Sequence, residues 1–104
     1  MPGGSNFAAV EVEDFLATHS AVEQVAIVGI PDKVMGEIGI AFIKLRLEHK
    51  CTEEEIISYC KDRLANYKVP EYVKFVDDFP MTPVGKIQEF KLKEQALREL
   101  GLKQ

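Results

Sequence analysis

A single lysine lies in a turn-forming segment near the end of the chain, where residues 80–90 read "PMTPVGKIQEF". Pro80 and Pro83 restrict the backbone before the lysine, and Gly85 allows backbone conformations that other residues avoid. Lysine carries a compact cation on a long side chain, which is suited to reach a phosphate or a carboxylate on another domain or molecule. These residue types predict that Lys86 is presented outward, with Gly85 setting the loop geometry. A merely solvated surface lysine is the ordinary alternative.

The pair Gly85-Lys86 also matches the end of the phosphate-binding pattern G-x-x-x-x-G-K-[ST]. The rest of the pattern fails, because Pro80 stands at the first glycine position. In addition, Ile87 replaces the hydroxyl residue that would bind magnesium. The segment is therefore not expected to be a P-loop.

Other titratable residues give weaker signals. Glu11, Glu13 and Asp14 could form a paired-carboxylate site, but a solvated helix face explains them better. His19 and His49 lie far apart without the spacing of metal ligands, so no metal site is predicted.

The composition limits the class of protein. A chain of 104 residues suffices for one small domain, and its net charge of −4 argues against nucleic acid as the main partner. No apolar run is long enough to cross a bilayer and no signal-peptide pattern opens the chain, so we expect a cytoplasmic protein. Cys51 and Cys60 lack C-x-x-C spacing and are predicted to be free thiols.

The first half of the chain reads as one helix and two strands. The helix is predicted over residues 8–18, with Ser5 or Asn6 as its N-cap. The nearly continuous apolar run within 22–30 predicts a strand that is covered on both faces. Apolar and charged residues alternate towards the end of the next strand, 38–47, and the short connection predicts antiparallel pairing.

The second half begins with a helix whose start is marked by a capping box of Thr52 and Glu55. A short strand is predicted over 71–79 and a last helix over 88–100, with Gly101 as its C′ residue. The predicted order is α-β-β-α-β-α. The predicted fold class is α+β, with a small three-stranded, mainly antiparallel sheet covered by helices.

Four motifs in this order resemble those of the C-terminal domain of AMP-forming acyl-CoA synthetases, in the adenylating superfamily of luciferases and peptide-synthetase adenylation domains. "GGSNFAAVEVEDFLATHSAV" is similar to G-G-E-N-I-x-x-x-E-[IV]-E-x-x-L-x-x-H-P-x-V, and "VAIVGIPDKVMGE" to A-V-V-G-x-P-D-x-x-x-G-E. "CKDRLANYKVP" resembles C-x-x-x-L-x-x-Y-K-V-P, and "PMTPVGKIQEFKL" resembles P-x-T-x-x-G-K-[IV]-x-[RK]. Together they cover nearly the whole chain, which makes the match specific.

The resemblance implies that residues 1–104 are the mobile C-terminal domain of an acid-thiol ligase, without its large N-terminal domain. It implies that Lys86 is the catalytic lysine of the adenylation step. Gly3 and Gly4 would line the path of the CoA pantetheine arm. The full-length enzyme would use ATP, CoA, Mg²⁺ and a carboxylic or fatty acid, whereas this chain alone would be inactive and would bind none of them tightly.

A function of a different class stays open on the sequence alone. The same residues could form a freestanding α/β protein-interaction or regulatory module without catalysis. The several hundred codons that precede Met1 in the source gene would separate the two hypotheses, because the enzyme requires a Gly/Ser/Thr-rich nucleotide loop there.

Overall fold

A computed structural model describes residues 9–34 and 36–100, with the side chain of Tyr67 excepted. Within these ranges the elements follow the predicted order α-β-β-α-β-α, with one added 3₁₀ turn. Their bounds are α1 Ala9–Leu16, β1 Val22–Asp32, β2 Gly36–Leu45, α2 Glu53–Arg63, the 3₁₀ turn Asn66–Lys68, β3 Tyr72–Phe75 and α3 Glu89–Leu100.

The strands form one sheet in the order β1-β2-β3. β1 and β2 pair antiparallel as predicted, with Ala26 opposite Phe42. β2 and β3 pair parallel, with Ile40 opposite Tyr72, and this pairing is much shorter. The sheet is therefore mixed but mostly antiparallel, which confirms the predicted α+β class. β3 is shorter than the predicted strand 71–79, because the chain leaves the sheet once the N–H of Val76 has donated to the carbonyl of Ile43 at 2.9 Å.

Two hydrophobic cores lie on opposite faces of the sheet. In β1, Ile27 belongs to one core, while Ala26 and Val28 belong to the other. This explains the nearly continuous apolar run and confirms that the strand is covered on both faces. The first core joins the sheet to α1 and α2 and contains Val12, Leu16, Val22, Ile27, Ala41, Ile43, Ile56, Cys60 and Val73. The second joins it to α3 and contains Ala26, Val28, Ile30, Ile38, Ile40, Phe42, Phe79, Leu92 and Ala96.

The end of β2 differs from the sequence prediction. The strand stops at Leu45, and Leu47 is 90% exposed instead of continuing the alternation. The N–H of His49 donates to the carbonyl of Arg46 at 3.1 Å, and Glu48 has a φ of 66°. This turn carries the chain away from the sheet before Leu47 can face the core.

The capping box of α2 is confirmed. Thr52 Oγ1 accepts the N–H of Glu55 at 3.1 Å, and the Glu55 carboxylate accepts the N–H of Thr52 at 2.9 Å. Both bonds satisfy donors that the first helical turn leaves unpaired. The predicted caps at Ser5 or Asn6 and at Gly101 lie outside the described residues.

Both edge strands donate a backbone N–H to a glutamate from a helix. Glu13 on α1 accepts from Ile27 of β1 at 2.8 Å, and Glu53 on α2 accepts from Val73 of β3 at 2.9 Å. The prediction that the acidic residues of α1 form a solvated face therefore does not hold for Glu13, which is half-buried. Occupied donors at the edges also oppose pairing with a strand of another chain.

Candidate functional site

Lys86 lies in a small hairpin formed by residues 80–88. Met81 and Ile87 form an antiparallel β-bridge at its base. One step nearer the tip, the N–H of Thr82 donates to the carbonyl of Lys86 at 2.7 Å. These bonds hold the two arms of the hairpin together, so the lysine backbone has a defined position.

The tip of this hairpin is closed by two further hydrogen bonds to Thr82. Its hydroxyl accepts the N–H of Lys86 at 3.1 Å, and its carbonyl accepts the N–H of Gly85 at 3.0 Å. Gly85 has a φ of 86°, a conformation that glycine adopts without the steric penalty of a Cβ. Apart from its two chain neighbours, no described residue has an atom within 4 Å of the place where a Cβ would stand. The glycine is therefore required here by the turn and not by a close contact.

The base of the hairpin is anchored in the second core. Phe79, which precedes it, is buried in that core, and Ile87 packs against the same cluster. Leu92 on α3 belongs to it as well. The hairpin is consequently attached to a packed base on both sides, while the residues of its tip, 83–86, are exposed.

The Lys86 side chain is exposed. In the described ranges, Lys44, Lys68 and Lys74 form ion pairs with acidic residues, whereas Lys86 forms neither an ion pair nor a side-chain hydrogen bond. Its ammonium group is therefore free to bind an anionic group on another domain or molecule. This is the arrangement expected of a presented cation.

The other predicted site residues lie apart from this hairpin or are not described. Gly3 and Gly4, predicted to line the pantetheine path, lie outside the described residues. His19 packs edge-on against Tyr59, with ring centres 4.7 Å apart, and its Nδ1 accepts the N–H of Ala21 at 3.1 Å. Its contacts are those of a packing residue. Residues 9–34 and 36–100 contain no group of three or more His, Cys, Asp or Glu side chains able to hold a metal ion.

The cysteines are free thiols, as predicted. Burial raises the pKa of Cys60 to about 11. Burial, assisted by the negative charge of Glu55, raises the pKa of Cys51. Thiols with raised pKa values are poor nucleophiles at neutral pH. Neither cysteine therefore has the lowered pKa that is typical of a nucleophilic thiol.

Sequence reasoning missed Phe90, on the first turn of α3. Its side chain is 60% exposed, whereas Leu92 is buried. The helical period could have shown this, because residues two apart point to different sides of a helix. An exposed aromatic residue beside the Lys86 hairpin is a second feature of this surface.

Residues 11–86, most of the chain, match the family described as "AMP-binding enzyme C-terminal domain". This chain belongs to that family. The matched range includes Lys86 as its last residue. The resemblance to the C-terminal domain of acyl-CoA synthetases is therefore confirmed.

Individual members of the family agree with this. The mitochondrial medium-chain acyl-CoA ligase ACSF2 of Danio rerio is 47% identical over 100 residues, which cover 96% of this chain and 16% of that protein. The fatty acyl CoA synthetase of Mycobacterium tuberculosis has a TM-score of 0.79 and 38% identity over 89% of this chain and 18% of its own. ATP-bound MatB of Rhodopseudomonas palustris has a TM-score of 0.84 and 29% identity over 90% of this chain and 19% of its own. The chain thus spans less than a fifth of each relative.

None of the described helices in this AMP-binding C-terminal domain has the length and apolar character needed to cross a membrane.

Proposed function

We propose that this chain is the C-terminal domain of an AMP-forming acyl-CoA synthetase and that it supplies Lys86 to the adenylation step. The observation that carries the proposal is the exposed ammonium group of Lys86, unpaired among residues 9–34 and 36–100, on a hairpin with a packed base. The family of the chain supports the same reaction class. A cation held in this way suits an enzyme that must deliver positive charge to a site on another domain.

The proposed reaction has two steps. A carboxylate oxygen attacks the α-phosphorus of ATP, pyrophosphate leaves, and an acyl-adenylate forms. The sulfur of CoA then attacks the acyl carbon, its thiol proton is lost, and AMP leaves with the bonding electron pair. In the first step the ammonium group of Lys86 lies near the carboxylate and the α-phosphate, where it holds both and stabilises the developing negative charge. It acts electrostatically and transfers no proton.

The partner of this domain is the large N-terminal domain of the same enzyme. That domain would hold the acyl pocket and most contacts to ATP and Mg²⁺. After adenylation the small domain rotates and withdraws Lys86, and the segment with Gly3 and Gly4 then lines the pantetheine path. Gly85 keeps the loop that carries Lys86 in one conformation throughout this cycle. Because one cation cannot form a complete site, the chain alone would bind ATP and CoA weakly and would be inactive.

The compartment of the enzyme belongs to the proposal as well. We propose a cytoplasmic location, as expected from the sequence. The Danio rerio relative carries the word mitochondrial in its name, so the compartment has to be measured, by imaging the full-length protein in its own cells.

The test measures the two half-reactions separately in the full-length enzyme. Lys86→Ala should slow adenylate formation, followed by pyrophosphate exchange, by about a hundredfold or more, because one charge interaction in a closed site contributes several kcal/mol and each ~1.4 kcal/mol is tenfold. Thioester formation from pre-made acyl-adenylate should keep its rate. Lys50→Ala, at another exposed lysine, is the matched control and should leave both half-reactions unchanged. An equal loss in both half-reactions would remove the role assigned to Lys86.

A further inference from the structure

An ion pair with two short hydrogen bonds joins the first turn of α1 to the 3₁₀ turn Asn66–Lys68. The ammonium group of Lys68 donates to Glu11 Oε1 at 2.8 Å and to Glu11 Oε2 at 2.9 Å. The described ion pairs of Lys44 and Lys74 are longer, at 3.2 to 3.8 Å. Hydrogen bonds between two charged groups are short and roughly twice as strong as neutral ones. The pair therefore holds together two segments that lie 57 residues apart in the sequence.

The Lys68 end of this pair has a fixed backbone. The N–H of Lys68 donates to the carbonyl of Ala65 at 2.9 Å, which closes the 3₁₀ turn. Pro70 is buried, and the N–H of Glu71 donates to the carbonyl of Gly39 on β2 at 2.8 Å. The turn is thus attached to the sheet immediately after Lys68. Its ammonium group can consequently hold another segment in place.

The Glu11 end of the pair belongs to a helix with little apolar packing at its start. α1 has 8 residues, too few for a helix that is stable without tertiary contacts. Its buried residues are Val12 and Leu16, which both follow Glu11. Before Glu11, Val10 is 70% exposed and Ala9 packs only partly against the first core. The ion pair therefore adds a strong polar contact where the apolar packing is thin.

The orientation of this first turn matters for the residues that precede it. The chain enters α1 at Ala9, and the five residues from Gly4 to Ala9 span at most about 18 Å. The place and direction of that entry therefore limit where residues 3 and 4 can lie. In the proposed function these two glycines line the path of the pantetheine arm. A shift of α1 at Glu11 would consequently move one wall of that path.

We propose that Glu11 and Lys68 are positioning residues for the second step, in which CoA attacks the acyl-adenylate. Their ion pair holds the start of α1 against the 3₁₀ turn and so places the wall of the pantetheine path. Neither side chain takes part in bond formation. The inference rests on the proposed function. An ordinary surface ion pair, in contrast, contributes little to stability and has no effect confined to one half-reaction.

The experiment measures both half-reactions of the full-length enzyme. Lys68→Met removes the ammonium group but keeps most of the aliphatic side chain, and Glu11→Gln removes the negative charge. In thioester formation from pre-made acyl-adenylate, each should raise the KM for CoA about three- to tenfold, within the range of measured couplings between paired side chains. The kcat of this step should change little, because the path holds the arm equally in the ground and transition states. Adenylate formation, followed by pyrophosphate exchange, should keep its rate.

Three further variants show whether the pair itself is responsible. Lys68→Arg keeps a cation that suits a carboxylate and should keep the KM for CoA near the wild-type value. The double variant Glu11→Gln with Lys68→Met should raise this KM no more than the larger single change, which isolates the pair from any other contact of either residue. Lys74→Met is the matched control, because it breaks the ion pair with Glu99 on α3 and should change neither half-reaction.

The outcomes separate this inference from the proposed function. A wild-type KM for CoA in both Lys68→Met and Glu11→Gln, together with slow adenylation in Lys86→Ala, overturns the positioning role alone. Additive effects in the double variant overturn it as well, because the two residues would then act independently. Equal losses in both half-reactions would show a purely structural role, with the same consequence. Normal adenylation in Lys86→Ala overturns the proposed function itself.

Discussion

The hydroxyl oxygen of Thr82 accepts the backbone N–H of Lys86 at 3.1 Å, across the tip of the hairpin that presents the lysine. The two residues are joined a second time, because the N–H of Thr82 donates to the carbonyl of Lys86 at 2.7 Å. One threonine thus fixes both backbone polar groups of the residue that carries the cation. Thr82 therefore fixes the backbone position from which the exposed amine of Lys86 extends.

Replacing Thr82 by valine should slow adenylate formation in the full-length enzyme about two- to tenfold. Valine keeps the shape of threonine but removes the acceptor, and a net hydrogen bond contributes about 0.5–1.5 kcal/mol. Thr82→Ser keeps the hydroxyl and should retain most of the rate. The measurement is pyrophosphate exchange, with thioester formation from pre-made adenylate as the unaffected step. A valine variant as fast as the serine variant would show that this hydrogen bond does not position Lys86.

Replacing Gly85 by alanine should strain the hairpin by about 1–2 kcal/mol, because a Cβ disfavours a positive φ. The open space around residue 85 means that no clash adds to this cost. Gly85→Asn should be milder, since asparagine adopts a left-handed conformation more readily than alanine. Pyrophosphate exchange should fall in the order glycine, asparagine, alanine. If alanine and asparagine lower it equally, side-chain bulk and not backbone conformation explains the effect.

Signals that are local in the sequence predicted their structure well. The capping box of Thr52 and Glu55 involves residues three apart, and the start of α2 follows from it. The apolar run of β1 reflects its own burial on both faces. Turn residues around Lys86 likewise predicted an exposed turn, because proline and glycine act on the backbone where they stand.

Features that depend on residues distant in the sequence could not be predicted from local patterns. The parallel pairing of β3 with β2 is decided by where the chain returns after α2, which no pattern in Tyr72–Phe75 records. Glu13 lies among acidic residues that look solvated, and only the tertiary fold brings it to Ile27. A groove lined by Glu37 of β2 and Phe90 of α3 joins residues that lie more than fifty positions apart. Sequence therefore predicted the exposed turn at Lys86 but not the hairpin bonds that close it or the surface beside it.

Replacing Glu53 by alanine should lower the free energy of unfolding by about 1 kcal/mol more than replacing Glu54. Both acids lie in the first turn of α2, so both interact with the helix dipole. In addition, Glu53 accepts the N–H of Val73 on the edge strand β3, and its loss leaves that donor without its partner. Unfolding the wild type, Glu53→Ala and Glu54→Ala with guanidinium gives the three free energies of unfolding to compare. Equal losses in the Glu53 and Glu54 variants would assign no stability to the bond with Val73.

Glu13 should make the stability of this chain depend on pH. Burial raises the pKa of Glu13, and the nearby charges of Glu89 and Asp14 raise it further, while the hydrogen bond from Ile27 opposes the shift. The folded state therefore binds a proton more tightly than the unfolded state, whose Glu13 has a pKa near the ordinary 4.5. By linkage, the stability that this group contributes is fully present below pH 4.5. It is lost as the pH rises through the raised value.

Glu13→Gln isolates this effect, because glutamine can still accept the N–H of Ile27 but does not titrate. We expect the variant to gain stability relative to the wild type as the pH rises from 4.5 to 7, when both are unfolded with guanidinium. Other acids, such as Glu99, whose pKa is lowered mainly by its hydrogen bond to Lys74, titrate in both proteins and cancel in the difference. Parallel stability curves for the two proteins would show that Glu13 has the same proton affinity in the folded and unfolded states, and that its burial beside β1 carries no electrostatic cost.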